Sequence, residues 1–159
     1  MNVKTILIPL DGSRLAELAL APAVELARDR GAKLVLLRAA EAHTTVADPT
    51  EAQVTVVREA EEYLTALRAR MLAGGAAEVE TSVWYGPPAG AIVEAATTQK
   101  VDLIVMSTHG RSGLGRLILG SVAETVLRGT TIPILVVRNE GAPVDVVSGA
   151  RPAKETTHV

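Results

Sequence analysis

The chain has 159 residues, 16 Lys and Arg against 18 Asp and Glu, a formal net charge of −2 and a pI near 5.9. With Trp84, Tyr63 and Tyr85 as its only aromatics, it offers neither a phosphate-tracking basic surface nor a stacking platform for bases, so nucleic acid is not an expected partner. The absence of cysteine excludes disulfides and thiol chemistry, and the opening apolar run is too short for a secretory leader or a membrane span, so no membrane association and a cytoplasmic location are expected.

Val3 to Leu10 is an aliphatic run without alternation, the pattern of a strand covered on both faces. It ends at Asp11-Gly12-Ser13, a turn that opens a helix over Arg14 to Arg30, kinked at Pro22 and closed by Gly31. Lys33 to Ala39 is a second buried strand, and Glu41 to Pro49 a connecting loop. Thr50-Glu-Ala-Gln53 has capping-box spacing for a second helix, which carries Val54, Val57, Leu64, Leu67 and Met71 on one stripe until Gly74-Gly75. Glu78 to Tyr85 alternates, with Val79, Thr81, Val83 and Tyr85 against Glu80, Ser82 and Trp84, as a half-exposed edge strand does. After Gly86-Pro87-Pro88, a third helix reaches about Lys100, and Leu103 to Met106 is a fourth strand. A glycine-rich loop from Ser107 to Ser121 follows, then a helix over Val122 to Arg128 closed by Gly129, and a fifth strand over Ile134 to Val137. Residues 1–138 read as a single domain, and residues 139–159, which lose all period, as a flexible tail.

Strands alternating with helices as solid aliphatic runs specify an α/β fold with a parallel sheet and helices on both faces. Ligands of such sheets bind beyond the carboxyl ends of the strands, where strand order reverses. The polar exits of the first and fourth strands, Pro9 to Ser13 and Ser107 to Ser121, make one crevice if the two strands are neighbours. Gly110, Gly113, Gly115 and Gly120 leave backbone N–H groups uncovered ahead of a helix start, a combination suited to phosphate. The stretch is not a P-loop, because serine rather than lysine follows Gly120, and it lacks the spacing of the dinucleotide fingerprint. Fast phosphoryl transfer is therefore not expected.

These residues resemble the universal stress protein family, in its nucleotide-binding subgroup. The family signature is glycine, two residues, glycine, nine residues, then glycine and serine or threonine; here Ser107 stands in the first glycine's place, followed by Gly110 and Gly120-Ser121. Pro9-x-Asp11, Thr108-His109-Gly110 and Ile134 to Val137 extend the likeness across about residues 3 to 137. The resemblance implies a Rossmann-like, five-stranded open sheet in the order 3-2-1-4-5, akin to the adenine nucleotide alpha-hydrolases. It also implies ATP, with Mg2+ or Mn2+, in the crevice, and a homodimer or higher homo-oligomer. By the same resemblance Gly110, Gly120, Ser121 and the backbone at Val122 would hold the phosphates, Asp11 of the Pro9-x-Asp11 match would lie at the adenosine end with Pro9 also at the site, and Ala39 would meet adenine through backbone atoms.

Each of these residues also has a plainer role. Ser121-Val-Ala-Glu124 has capping-box spacing, Asp11 can start a turn or cap a helix, and Arg111 and Arg116 can be solvated. His109 is the one side chain of the loop able to act as a base near neutral pH, yet no catalytic set or metal-ligand spacing accompanies it. The favoured function is an ATP-binding stress-response module working through conformation or oligomeric state. A slow Mg-dependent ATPase and a structural dimer without nucleotide are the alternatives, the latter because Ser107 narrows the approach. Ile134 to Val137, without charge or proline, would pair with its two-fold copy unless the tail covers it.

Overall fold

The structure is a computed structural model that describes residues 2–42, 49–108 and 120–139. His109 to Arg116, including Gly110, and the expected tail beyond Asn139 lie outside the described residues. The chain runs β1 (Thr5–Leu10), α1 (Arg14–Glu17), α2 (Leu20–Arg30), β2 (Lys33–Ala40), α3 (Pro49–Ala73), β3 (Val79–Tyr85), α4 (Pro88–Thr98), β4 (Leu103–Thr108), α5 (Ser121–Gly129) and β5 (Ile134–Arg138). The strands form one parallel sheet in the order β3-β2-β1-β4-β5, the expected topology.

Both faces of the sheet are covered, which is why the central strands read as unbroken aliphatic runs. Ile6, Ile8, Leu34, Leu36 and Val105 face α1, α2 and α3, while Leu7, Val35, Leu37, Ile104 and Met106 face α4 and α5. Ile6, Leu7 and Ile8 are fully buried, each contributing about 1.5–3 kcal/mol of transfer free energy. Asp102, just ahead of β4, accepts the Lys4 and Thr5 amides at 2.8 and 2.9 Å. This ties the start of β1 to the start of β4, so their carboxyl ends emerge together.

Several expected boundaries differ, each for a local reason. The single helix kinked at Pro22 is two helices, broken at Leu18 and Ala19, whose amides bond to Leu15 and Ala16 in a tighter i→i−3 turn. Pro22 is the third residue of α2, where its missing N–H costs little; its ring crowds the Leu18 carbonyl, and so the break precedes the proline. The capping box at Thr50 does not form, because Pro49 already occupies the first helical position. Ser121 is not a cap either: Gly120 is the N-cap and Ser121 opens the helix. Gly129 ends inside α5, where a Cβ would stand 3.1 Å from Val93 Cγ2, so its bareness lets α5 approach α4.

The edge strands follow the same logic. Among the described residues β3 pairs only with β2, as expected of an edge, but both its faces are partly covered: Val79 and Val83 pack toward α3, Trp84 toward α4. The Trp84 indole N–H donates to Ser82 Oγ at 3.0 Å, so the partly buried ring keeps its polar end bonded. β5 is the other edge and, among the described residues, pairs only with β4. No described helix is long and apolar enough to cross a membrane.

Candidate functional site, a crevice at the carboxyl ends of β1 and β4

The chain builds outward from β1 through β2 to β3 and then returns to β4 on the other side of β1. Strand order therefore reverses between β1 and β4, and the helices that follow these strands diverge to opposite faces of the sheet. A cavity of about 320 Å3 opens there. Pro9, Asp11, Ala39, Ser107, Gly120, Ser121 and Val122 all line it. Of the residues expected at the site, Gly110 alone lies outside the described residues.

The β1 wall is held by side-chain hydrogen bonds. Asp11 Oδ1 accepts the Ser13 amide at 2.8 Å, and Ser13 Oγ accepts the Ala16 amide at 3.1 Å. Asp11 thus organises the turn, and Ser13 caps α1. Gly12 between them has φ of 85°, a conformation that favours glycine. Ala16, on the face of α1 turned inward, closes this side of the cavity.

The opposite wall is the end of β4 and the start of α5. Ser107 is a strand residue, paired in register with Val137, and not the first residue of a loop. An extended backbone makes no demand for glycine, so the serine differs from the family's glycine in side-chain volume and in carrying a hydroxyl, not in strain. Thr108 beside it is buried. At α5, Gly120 has no side chain with which to cap, and the first intrahelical bond runs from the Glu124 amide to the Gly120 carbonyl at 2.9 Å. The amides ahead of Glu124 are the ones a helix start leaves for an anion. Thr125 spends its hydroxyl on the Ser121 carbonyl at 2.8 Å.

Leu10, Pro88, Ile92, Met106 and Ala123, with Thr108, complete the lining and leave it largely apolar. The apolar ones were not singled out in the sequence. Ile92, Met106 and Ala123 look like ordinary core residues there, and only the pairing of β1 with β4 turns their neighbourhood into a floor. The lining holds one carboxylate, Asp11, and no lysine, arginine or histidine among the described residues. No group of three or more His, Asp or Glu able to hold a metal gathers among the described residues. The arrangement suits an apolar, flat body with a polar or anionic end turned to α5.

The sequence profile of the universal stress protein family matches residues 2–138. A universal stress protein of Methanocaldococcus jannaschii is 36% identical over 139 residues, covering 85% of this chain and 82% of its own. Among solved structures, the universal stress protein UspA of Lactobacillus plantarum superposes with a TM-score of 0.71 at 26% identity, over 87% of this chain and 99% of its own. A universal stress protein in complex with cAMP superposes with a TM-score of 0.68 at 26% identity, over 86% and 98%. Profile, relatives and strand order agree, and the chain belongs to the universal stress protein family.

Proposed function

We propose that the crevice binds an adenine nucleotide, ATP with Mg2+ or Mn2+, and that the protein is a stress-response module acting through nucleotide-dependent conformation or oligomeric state. The observation that carries this reading is the cavity of about 320 Å3 that joins Asp11, Ala39, Ser107 and the uncapped start of α5 in one lining. The solved family member in complex with cAMP supports an adenine nucleotide as the class of ligand. Pro88, Ile92 and Met106 offer apolar surface for a base, Ala39 its backbone, Asp11 a ribose partner, and the amides of Ser121 and Val122 a place for phosphate. Gly110 belongs to the same phosphate site by its place in the signature. A divalent cation would enter on the phosphates, with Asp11 the one carboxylate among the described residues of the lining. Serine rather than lysine follows Gly120, so turnover is expected to be slow or absent.

The test is direct. Mass spectrometry of the denatured, freshly purified protein should show a co-purified adenine nucleotide. Added ATP and Mg2+ at about a hundredfold the dissociation constant should stabilise the fold by roughly 2.7 kcal/mol, about 5–11 °C in a domain of this size. No co-purified nucleotide and no shift with ATP, ADP, AMP or cAMP would overturn the reading. The proposed homodimer uses the β5 edge, where Leu135 and Val136 are exposed. Sedimentation at micromolar concentration should give twice the chain mass, and a monomer would remove that part of the proposal.

A further inference from the structure

Arg38 interrupts the apolar run of β2 one residue before Ala39. Like Leu34 and Leu36 it faces α3, and its guanidinium carbon stands 5.0 Å from the centroid of the Tyr63 ring. The same group touches the Asp11–Ser13 turn, for a Cβ at Gly12 would lie 3.3 Å from Arg38 Nη1 and 3.5 Å from its Cζ and Nη2. The Tyr63 hydroxyl donates to Glu17 Oε1 at 3.0 Å, and Arg70 Nη2 donates to Glu17 Oε2 at 2.5 Å. Glu17 is the last residue of α1, the helix that Ser13 caps. The contacts therefore close a ring: Gly12 to Arg38, Arg38 to Tyr63, Tyr63 to Glu17, and back through α1 to Ser13.

Asp11 hangs on this ring through its bond to the Ser13 amide. Burial first, and then the hydrogen bond and charge of Glu17, push the Tyr63 hydroxyl well above its ordinary range, so it remains a donor to Glu17 throughout the neutral range. Asp11 acts on that hydroxyl in the same direction, and Arg38 against it. Arg38 does not line the cavity. A planar, delocalised cation resting on a ring and against a bare glycine is a shape that lysine cannot reproduce.

We infer that Arg38 is a positioning residue for the crevice, propping the Asp11–Gly12 turn against Tyr63 so that the Asp11 carboxylate meets the adenosine end of the nucleotide. The inference rests on the crevice binding an adenine nucleotide, but its mechanical half does not.

That half is read without ligand. In the nucleotide-free protein, Arg38→Ala should move the backbone resonances of Gly12 and Ser13 and speed hydrogen exchange at the Ser13 and Ala16 amides, while the β4 amides keep their protection. The other half is a cycle of ATP dissociation constants. Arg38→Ala should weaken ATP about tenfold in the wild-type background, and less than about threefold once Asp11→Ala is present. Arg38→Lys should recover little, and Tyr63→Phe, which keeps the ring, should cost about two- to threefold. If Arg38→Ala fails to fold, Arg38→Met keeps the stem and takes its place. Unmoved Gly12 and Ser13 amides, or additive losses in the cycle, overturn the inference. A wild-type protein that binds no adenine nucleotide overturns the proposed function, and the amide readout then still decides whether Arg38 holds the turn.

Discussion

Two helices begin at the same crevice and are finished in different ways. α1 is closed by its own chain: Ser13 Oγ takes the Ala16 amide, and Asp11 takes the Ser13 amide. α5 opens on Gly120, which has nothing to close it with. One start gives its Ala16 amide to a side-chain cap, and the other has no side-chain cap at all. A helix start binds anions where the fold leaves donors unspent, so in the proposed complex the phosphate end lies at α5 and the neutral end at β1.

The strongest way to break this contrast is to put a charge at α5. Ser121→Glu should favour the helix by about 0.3–1 kcal/mol, since an acid suits an N-terminus. The same carboxylate about 4 Å from a phosphate should cost ATP roughly 100-fold in affinity. Opposite signs in a urea titration and a binding titration would establish that α5 is a ligand surface; parallel signs would remove the contrast. Next in size is Gly12→Ala. Its φ of 85° and the neighbouring Arg38 leave a side chain poorly placed, and a loss of about 1–2 kcal/mol in unfolding free energy is expected.

Ser13→Ala removes a working cap, so about 1 kcal/mol of stability should go, read as a fall of about 2–4 °C in Tm. Ser121→Ala, at a position that is not the cap, should change stability by less than about 0.5 kcal/mol, while calorimetry shows weaker ATP binding. A loss as large as that of Ser13→Ala would mean that the two starts are alike after all. The smallest effect concerns pH. Tyr63 titrates higher in the folded protein than in the unfolded chain, so its contribution is complete below about pH 10 and is lost as pH rises beyond that. Tyr63→Phe should flatten part of the alkaline fall in urea midpoint.

Much of the fold was legible because the central strands are fully covered. Covered strands have only aliphatic side chains to show, as in Ile6 to Ile8 and Leu34 to Leu37, and their exits turn polar at once. The strand order came from family likeness, since aliphatic runs carry no record of their neighbours. The helix starts were read less well. Thr50 and Ser121 have capping-box spacing, yet α3 already begins at Pro49 and α5 is capped at Gly120, so both starts lie earlier in the chain, and a spacing rule has no means of choosing the register. Pro22 marked a break correctly in kind but not in place, because a proline disturbs the carbonyl four residues before it.

The site divides in the same manner. Asp11, Ser107, Gly120 and Ser121 carry polar or turn chemistry at strand exits and could be picked from the chain. Pro88, Ile92 and Met106 could not, because an apolar residue in a cavity floor and one in a core have the same composition. The Arg38–Tyr63–Glu17 ring joins residues 21 and more positions apart on three elements. Its one sequence trace is an arginine inside a buried strand, which burial alone would disfavour.

The break between α1 and α2 has a consequence for how the domain opens. A helix of four residues is too short to persist by its own backbone bonds. α1 therefore exists on the strength of what holds its ends, Ser13 at one and the Tyr63 and Arg70 bonds to Glu17 at the other. Its amides should exchange with solvent through a local event of far lower free energy than the unfolding that exposes β1 and β4. Because Ala16 is part of the cavity wall, that same event lifts one side of the crevice. A ligand seated against α1 should therefore slow exchange at the α1 amides before it changes protection anywhere else in the sheet.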